Sequence, residues 1–410
     1  MDPESSSASP CQSLLRYKPF TLFWIVRVSS SMAFQIVGVA VGWQIYDITG
    51  SAFYLGLVGL AQFLPMFLLN LVVGQVADRY DRRLIGRLCQ MVEGLAAGTL
   101  AFGSFSGLQS KESILAIVFV IGAARAFEGP PMLALVPALV PIPLIARAVA
   151  GASSASQTAT ILGPALGGLL YVAGSTTAYG TASALFLGAS LFMALIHIEH
   201  TPPKREPITL QSLFAGISFI RNHRAILGAI SLDLFAVLLG GATALLPIYA
   251  RDILVTGPWG LGLLRSAPAV GALAMSAVLA RTPLRHRVGR IMFGAVFTFG
   301  VATIAFALSR SFVLSFGILV VLGASDVISV VIRMTLVQIG TPDEMRGRVS
   351  ALSSLFTGTS NHLGGFESGV TAAWFGVVPA VLVGGVGTII VVIIWMRCFP
   401  QLVQIDSLKS

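Results

Sequence analysis

The chain has 410 residues, 55% of them hydrophobic and only 10% charged, and its mean hydropathy of +0.87 stands well above that of soluble domains. The net charge is +9, but in so apolar a chain its placement matters more than its size, so neither a soluble enzyme nor a nucleic-acid-binding protein is expected. Cys11, Cys89 and Cys398 are too scattered for a metal site or a disulfide framework, and no metal or catalytic group is expected.

A bilayer core about 30 Å thick takes roughly 20 apolar helical residues to cross. Runs of that kind lie at 20–46, 54–77, 84–106, 113–136, 147–173, 180–197, 225–249, 260–280, 290–308, 312–336, 349–374 and 378–397. They are too long for strands, and the Gly and Pro inside them suit membrane helices. The expectation is an all-α membrane protein of twelve transmembrane helices in two pseudo-symmetric six-helix bundles. It divides into a cytoplasmic N-terminal tail (1–19), a first bundle (20–197), a cytoplasmic linker (198–224), a second bundle (225–397) and a cytoplasmic tail (398–410). The opening MDPESSSASP has no basic region, and the first run is too long and too deep in the chain for a cleaved signal.

Charge inside the runs is scarce and specific. Run 1 carries Arg27. Between runs 2 and 3 lies GQVADRYDRR (74–83), with Asp78, Arg79, Asp81, Arg82 and Arg83 in ten positions. One reading is a tight turn with topology-setting arginines. The other is a contact between halves, in which Gly74 permits close packing and Asp78 meets the positive end of a helix from the other half. Run 3 carries Glu93, and run 4 has Arg125 and Glu128 one turn apart.

Run 5 contains GPALGG (163–168), where Pro164 bends the helix and Gly163, Gly167 and Gly168 admit a close neighbour; generic small-residue packing is the plainer reading. The linker is expected to hold an amphipathic helix with Leu210, Leu213, Phe214, Ile217 and Ile220 on one face. Run 7 then carries Asp233, run 8 Arg265, run 10 Asp326 and Arg333, and run 11 His362 and Glu367.

Ionisable groups inside a membrane cost at least about 2.5–3.5 kcal/mol each, so they pair, face the bundle interior or line a wet route. Arg27, Arg125, Glu128, Asp233, Asp326, Arg333 and Glu367 are therefore the candidate substrate-binding or coupling residues, although Arg125 and Glu128 could simply pair with each other. Phe34, Trp43, Phe235 and Trp374 are candidate stacking residues or else belong to lipid-facing belts. The loops opposite the termini hold only Lys111, Arg251 and Arg310 of the 26 Lys and Arg, which places both termini in the cytoplasm.

The halves repeat weakly. RAVAGASSASQTATILGPALGG (147–168) aligns with RVSALSSLFTGTSNHLGGFESG (348–369) at an offset of 201, and YLGLV (54–58) with GLGLL (260–264) at 206. By these offsets Arg27 corresponds to Asp233 and Arg125 to Asp326.

GQVADRYDRR resembles the signature G-x-x-x-D-R-x-G-R-R of the major facilitator superfamily, with Asp81 where that family has Gly. GPALGG resembles the G-P-x-x-G-G core of its exporters, with Ala150 and Ala159 where two upstream glycines belong. LQSLFAGISFI (210–220), VQIGTPDEMRGRVSAL (337–352) and the arginine of VRVSS (26–30) extend the resemblance to enterobactin-exporter-like bacterial efflux proteins. The resemblance implies alternating access, a central cavity lined by helices 1, 4, 7 and 10, and a gate at 74–83 that latches the outward-open state. The counterpart ARTPLRHRVGR (280–290) has no acid.

A basic first-half wall facing an acidic second-half wall would suit an anionic or amphipathic small molecule, and protonating Asp233 or Asp326 would weaken the attraction between the walls. No phosphate-binding G-x-x-x-x-G-K-[ST] loop is present, so transport draws on an ion gradient, with H+ the expected ion and no cofactor. The expectation is a monomeric exporter of a siderophore-like compound in a bacterial inner membrane. An importer or lipid flippase on the same fold, or a non-transporting receptor or sensor, are the alternatives.

Overall fold

A computed structural model of the chain describes residues 14–197, 217–282 and 286–407, and these are helical with no strand among them. The first half forms α1 (Lys18–Thr49), α2 (Ala52–Arg79), α3 (Arg82–Phe105), α4 (Lys111–Leu135), α5 (Ile145–Val172) and α6 (Ser175–Ala194). The second forms α7 (Arg224–Leu239), α8 (Gly257–Arg281), α9 (Val288–Leu308), α10 (Phe312–Ile339), α11 (Asp343–Phe375) and α12 (Val377–Cys398).

Among the described residues nine helical segments are long and apolar enough to cross a membrane. The long helices outside that set are α3, α5 and α11. α5 and α11 are the repeat-related pair, and Gly163, Gly167 and Gly168 of α5 and Gly364 and Gly369 of α11 lie against other helices.

Neighbouring helices alternate in direction, so the chain enters α1 and leaves α12 at one end, here the terminal end. Two six-helix bundles result. α3 packs on α4 and α6, and α1 on α5 and α6; in the second half α9 packs on α10 and α12, and α8 on α10. The halves meet where α5 crosses α8 and α2 crosses α11.

Burial is uneven along the membrane normal. At the end opposite the termini, one apolar core runs through both halves, from Ile36, Val39 and Ile45 of α1 to Leu245, Tyr249 and Leu261. At the terminal end each half has its own core, built on Phe20, Phe23 and Met132 in the first and on Leu232, Met292 and Ile332 in the second. The molecule is sealed at the far end.

The seventh span differs from a plain helix. It breaks at Gly240–Gly241, passes through a 3-10 turn (Ala242–Leu245) and ends in a wide π turn (Tyr249–Ile253). The break exists because α11 comes against it: a Cβ on Gly241 would run into the Gly364 carbonyl.

Of the expected linker helix, residues 217–222 are helical and Ile220 is buried against Ile226, Val349 and Leu352. Leu210, Leu213 and Phe214 lie outside the described residues.

A chamber between the halves

Two adjoining cavities of about 280 and 370 Å³ lie between the bundles. Both are lined by Thr160 of α5, Thr243 of the broken seventh span, Arg265 of α8 and Asn361 of α11, so they form one chamber. The first extends to Phe34, Gln35 and Gln62 of the first half. The second reaches Asp233, Asp326 and Arg333. A discontinuous helix at such a place offers unpaired backbone groups to a ligand.

The second-half charges are held as follows. Arg333 Nη2 lies 3.1 Å from Asp233 Oδ2, each side chain 4% exposed, and its Nη1 donates to Thr357 Oγ1 at 2.7 Å. Asp326 faces the cavity and makes no ion pair or hydrogen bond among the described residues. Glu367 lines neither cavity; its carboxylate accepts from Thr371 Oγ1 on its own helix at 2.9 Å.

In the first half Glu128 is the hub. Its carboxylate accepts from Ser30 Oγ (2.9 Å), Gln90 Nε2 (3.0 Å) and Arg125 Nη1 (2.5 Å). The Arg125 guanidinium lies 4.6 Å from the centroid of the Phe34 ring, which lines the chamber, whereas Arg27, Arg125 and Glu128 themselves line neither cavity. Arg27 donates to Ser156 Oγ of α5 at 2.6 Å.

This corrects one expectation. The repeat-related charges do not attract one another across the chamber: Asp233 is paired within its own half with Arg333, and Glu128 with Arg125. The reason is distance. A partner one turn or one helix away stays with a buried charge when the halves move, whereas one across a moving gap does not.

Arg265 is what sequence reasoning passed over. It stands at the junction of the two cavities and makes no ion pair or hydrogen bond among the described residues. Its Nη1 lies only 3.3 Å from the place a Cβ on Gly38 would take, so the glycines of α1 make its room. The signal was available: Arg265 has no charged residue at the repeat-related position, where Gly59 stands.

Of the aromatics, Phe34 lines the chamber, while Phe235 packs on Trp395 and Trp374 is 77% exposed.

The stretch 74–83 acts, where it is described, as a set of helix-end ties. Asp81 caps α3: its carboxylate accepts from the Arg83 backbone N–H at 2.9 Å and pairs with the Arg83 guanidinium at 2.7 Å. Its φ is −59°, so the turn needs no glycine there. Arg83 also donates to the Ile196 carbonyl after α6 (3.1 Å) and Arg82 to the Ala134 carbonyl of α4 (3.2 Å), both near helix C-termini that attract cations. Arg79 closes α2 and is exposed. The expectations for Gly74 and Asp78 concern side chains outside the described residues.

GPALGG divides its work. Gly163 and Gly167 lie against Gln35 and Ile36 of α1, Pro164 lines the chamber, and Gly168 lies against Gly262 of α8 in the other half.

Among the described residues, the polar contacts that cross between halves sit at the far end. Arg251 Nη1 meets Asp47 Oδ1 at 2.9 Å, and the Tyr46 hydroxyl donates to Asp252.

The sequence profile of the transmembrane secretion effector family matches residues 8–410. The chain belongs to that family. The family is a branch of the major facilitator superfamily. Among its relatives, the enterobactin exporter EntS of Citrobacter koseri is 27% identical over 400 residues, covering 95% of this chain and 94% of that protein. EntS of Escherichia coli O1:K1 is 26% identical over 415 residues, covering 96% and 98%.

A solved bacterial homologue of the lysosomal transporter Spinster, inward-facing and occupied, superposes with a TM-score of 0.76 at 14% identity, over 96% of this chain and 99% of that one. An inward-facing bacterial homologue of ferroportin gives 0.69 at 18% identity, over 94% and 99%. The family member described here is thus a multi-pass membrane transporter of small molecules with the major facilitator fold.

Proposed function

We propose that this transporter exports an anionic, amphipathic molecule of siderophore type from a bacterial cytoplasm, driven by proton entry, by exposing its chamber alternately to either side. Arg265 carries the reading: a guanidinium at the junction of two cavities between the halves, with no partner among the described residues, wants an anionic one, and a substrate can supply it. The relatives named enterobactin exporters favour a siderophore-like cargo and outward direction.

The excess of Lys and Arg in the terminal-end loops supports both termini lying in the cytoplasm. With that orientation the sealed far end faces outward and the chamber opens inward, ready to load. Asp326, facing the cavity, exchanges protons with the chamber, and the Asp233–Arg333 pair fixes the wall beside it. Arg27, Arg125 and Glu128 line neither cavity and form a charged cluster in the first half, with Arg125 against the lining residue Phe34, and Asp78 latches the terminal end when the chamber faces outward. The protein works as a monomer without a cofactor.

Profiling small molecules inside and outside cells with and without the protein tests this. Accumulation of an anionic compound inside the deletant supports export. Depletion inside it would make the protein an importer, and no change in any such compound would remove the substrate class.

A further inference from the structure

Glu93 of α3 is fully buried, 0% exposed, and neither of its carboxyl oxygens has a hydrogen-bond partner among the described residues. One turn earlier on the same face, Gln90 is also 0% exposed; its Nε2 donates to Glu128, and its Oε1 is left without a partner. Buried acceptors without donors are costly, and an unpaired buried carboxylate costs several kcal/mol.

A single proton neutralises the carboxylate and supplies a donor for one of the orphaned acceptors. A Glu93 O–H can donate to Gln90 Oε1, whose amide already donates to Glu128. The groups facing Glu93 allow this: α4 contributes Arg125 and Glu128, α3 itself Cys89, and α6 presents the uncharged Ser183 and Leu187 at Gly94. Arg125 is committed to Glu128, which has three donors while Glu93 has none.

We infer that Glu93 is a proton-binding site of the first half, occupied in this conformation and joined through Gln90 to the Glu128–Arg125 pair. Binding forms one O–H bond from a hydronium ion, and release returns that proton to water. The carboxylate left behind needs a cation, and Arg125 is the guanidinium within electrostatic reach. Two carboxyls therefore share one arginine, and whichever lacks it holds the proton. Substrate drawing Arg125 past Phe34 into the chamber would change that sharing, which ties proton and cargo together. This part rests on the proton-coupled reading above; the occupancy of Glu93 does not.

Infrared spectroscopy of the purified protein at neutral pH tests the occupancy directly. The protein should show the carbonyl stretch of a protonated carboxyl, lost in Glu93→Gln and retained in Asp326→Asn. Glu93→Gln should also fold with undiminished thermal stability, because a neutral amide has the shape of the protonated acid. An unchanged band, no band in the parent, or a variant that fails to fold would each overturn the proposal.

In proteoliposomes, Glu93→Gln should keep substrate counterflow and lose accumulation driven by a pH gradient, whereas unchanged accumulation would remove the site from coupling. If the parent itself ignores the gradient, the proton-coupled reading fails while the infrared result still judges Glu93.

Discussion

Gly168 of α5 and Gly262 of α8 lie backbone to backbone across the two halves, so that a Cβ on Gly168 would fall 3.0 Å from the Gly262 Cα. The repeat offsets of 201 and 206 carry these residues to Gly369 and Gly56, which meet in the same way where α11 crosses α2, with a Cβ on Gly56 falling 3.1 Å from the Gly369 Cα. The far-end seal is thus one contact used twice by pseudo-symmetry. Small residues permit it because membrane helices gain by close backbone approach.

Gly262→Val and Gly56→Val should each pry the far end open by overpacking, at a cost of about 1–3 kcal/mol to this conformation. Spin-label distances across the far end should lengthen in both variants. A change in one and not the other would break the symmetry argument.

The Asp233–Arg333 pair is buried on both sides, so Arg333→Met should strand the carboxylate and destabilise the protein by about 3–5 kcal/mol. Adding Asp233→Asn should restore much of that loss. Thermal unfolding in detergent reads both, and equal melting of the single and double variants would show that the pair is not the mechanism.

Arg265→Gln should leave stability unchanged, since no partner among the described residues is lost. It should weaken an anionic ligand by roughly tenfold or more, in line with about 1.5–3 kcal/mol for a charge-assisted hydrogen bond. Titration calorimetry with the exported compound checks this, and undiminished affinity would take Arg265 out of the site.

The C-terminal tail supplies a cap that the loop at 280–290 lacks. The Asp406 carboxylate accepts from the Arg287 backbone N–H (3.0 Å) and from His286 (3.2 Å), while the Ile405 carbonyl accepts from Gly289 N–H at the start of α9 (3.0 Å). The Arg287 N–H first, then His286, hold the Asp406 carboxyl below the usual carboxylate range. A depressed value means that the clasp is complete above the ordinary carboxylate pKa of about 3.9 and is lost only as pH falls through Asp406's own lower value. Protease should therefore spare the tail at pH ~5 in the parent, and cleave it at neutral pH in Asp406→Asn. Equal cleavage of both would dismiss the clasp.

Much of the architecture was legible because lipid imposes it: runs near 20 residues and basic loops on one side follow from the bilayer itself. The seventh span was harder. Gly240–Gly241 reads as ordinary membrane-helix glycine until α11 is seen against it. Hydropathy points to a sixth span at 180–197, whereas the helix lies at Ser175–Ala194, since Ser and Thr at its start hide the boundary.

Residue identity also named most of the charged groups, but not their partners. Asp81, standing where the superfamily signature has Gly, is a helix cap, a role visible only from φ and the Arg83 N–H. Asp233 was matched to Arg27 by the repeat, yet it pairs with Arg333, because pairing within a half depends on helix rotation that an offset does not encode.

The central claim is that Asn361 looks into a chamber reachable from one side at a time. In a variant lacking Cys11, Cys89 and Cys398, Asn361→Cys should react with a membrane-impermeant thiol reagent from the terminal side, be shielded by substrate, and become reactive from the far side only when Gly262→Val opens that end. Reaction with lipid-soluble reagents alone, or from both sides at once in the resting protein, would contradict the account.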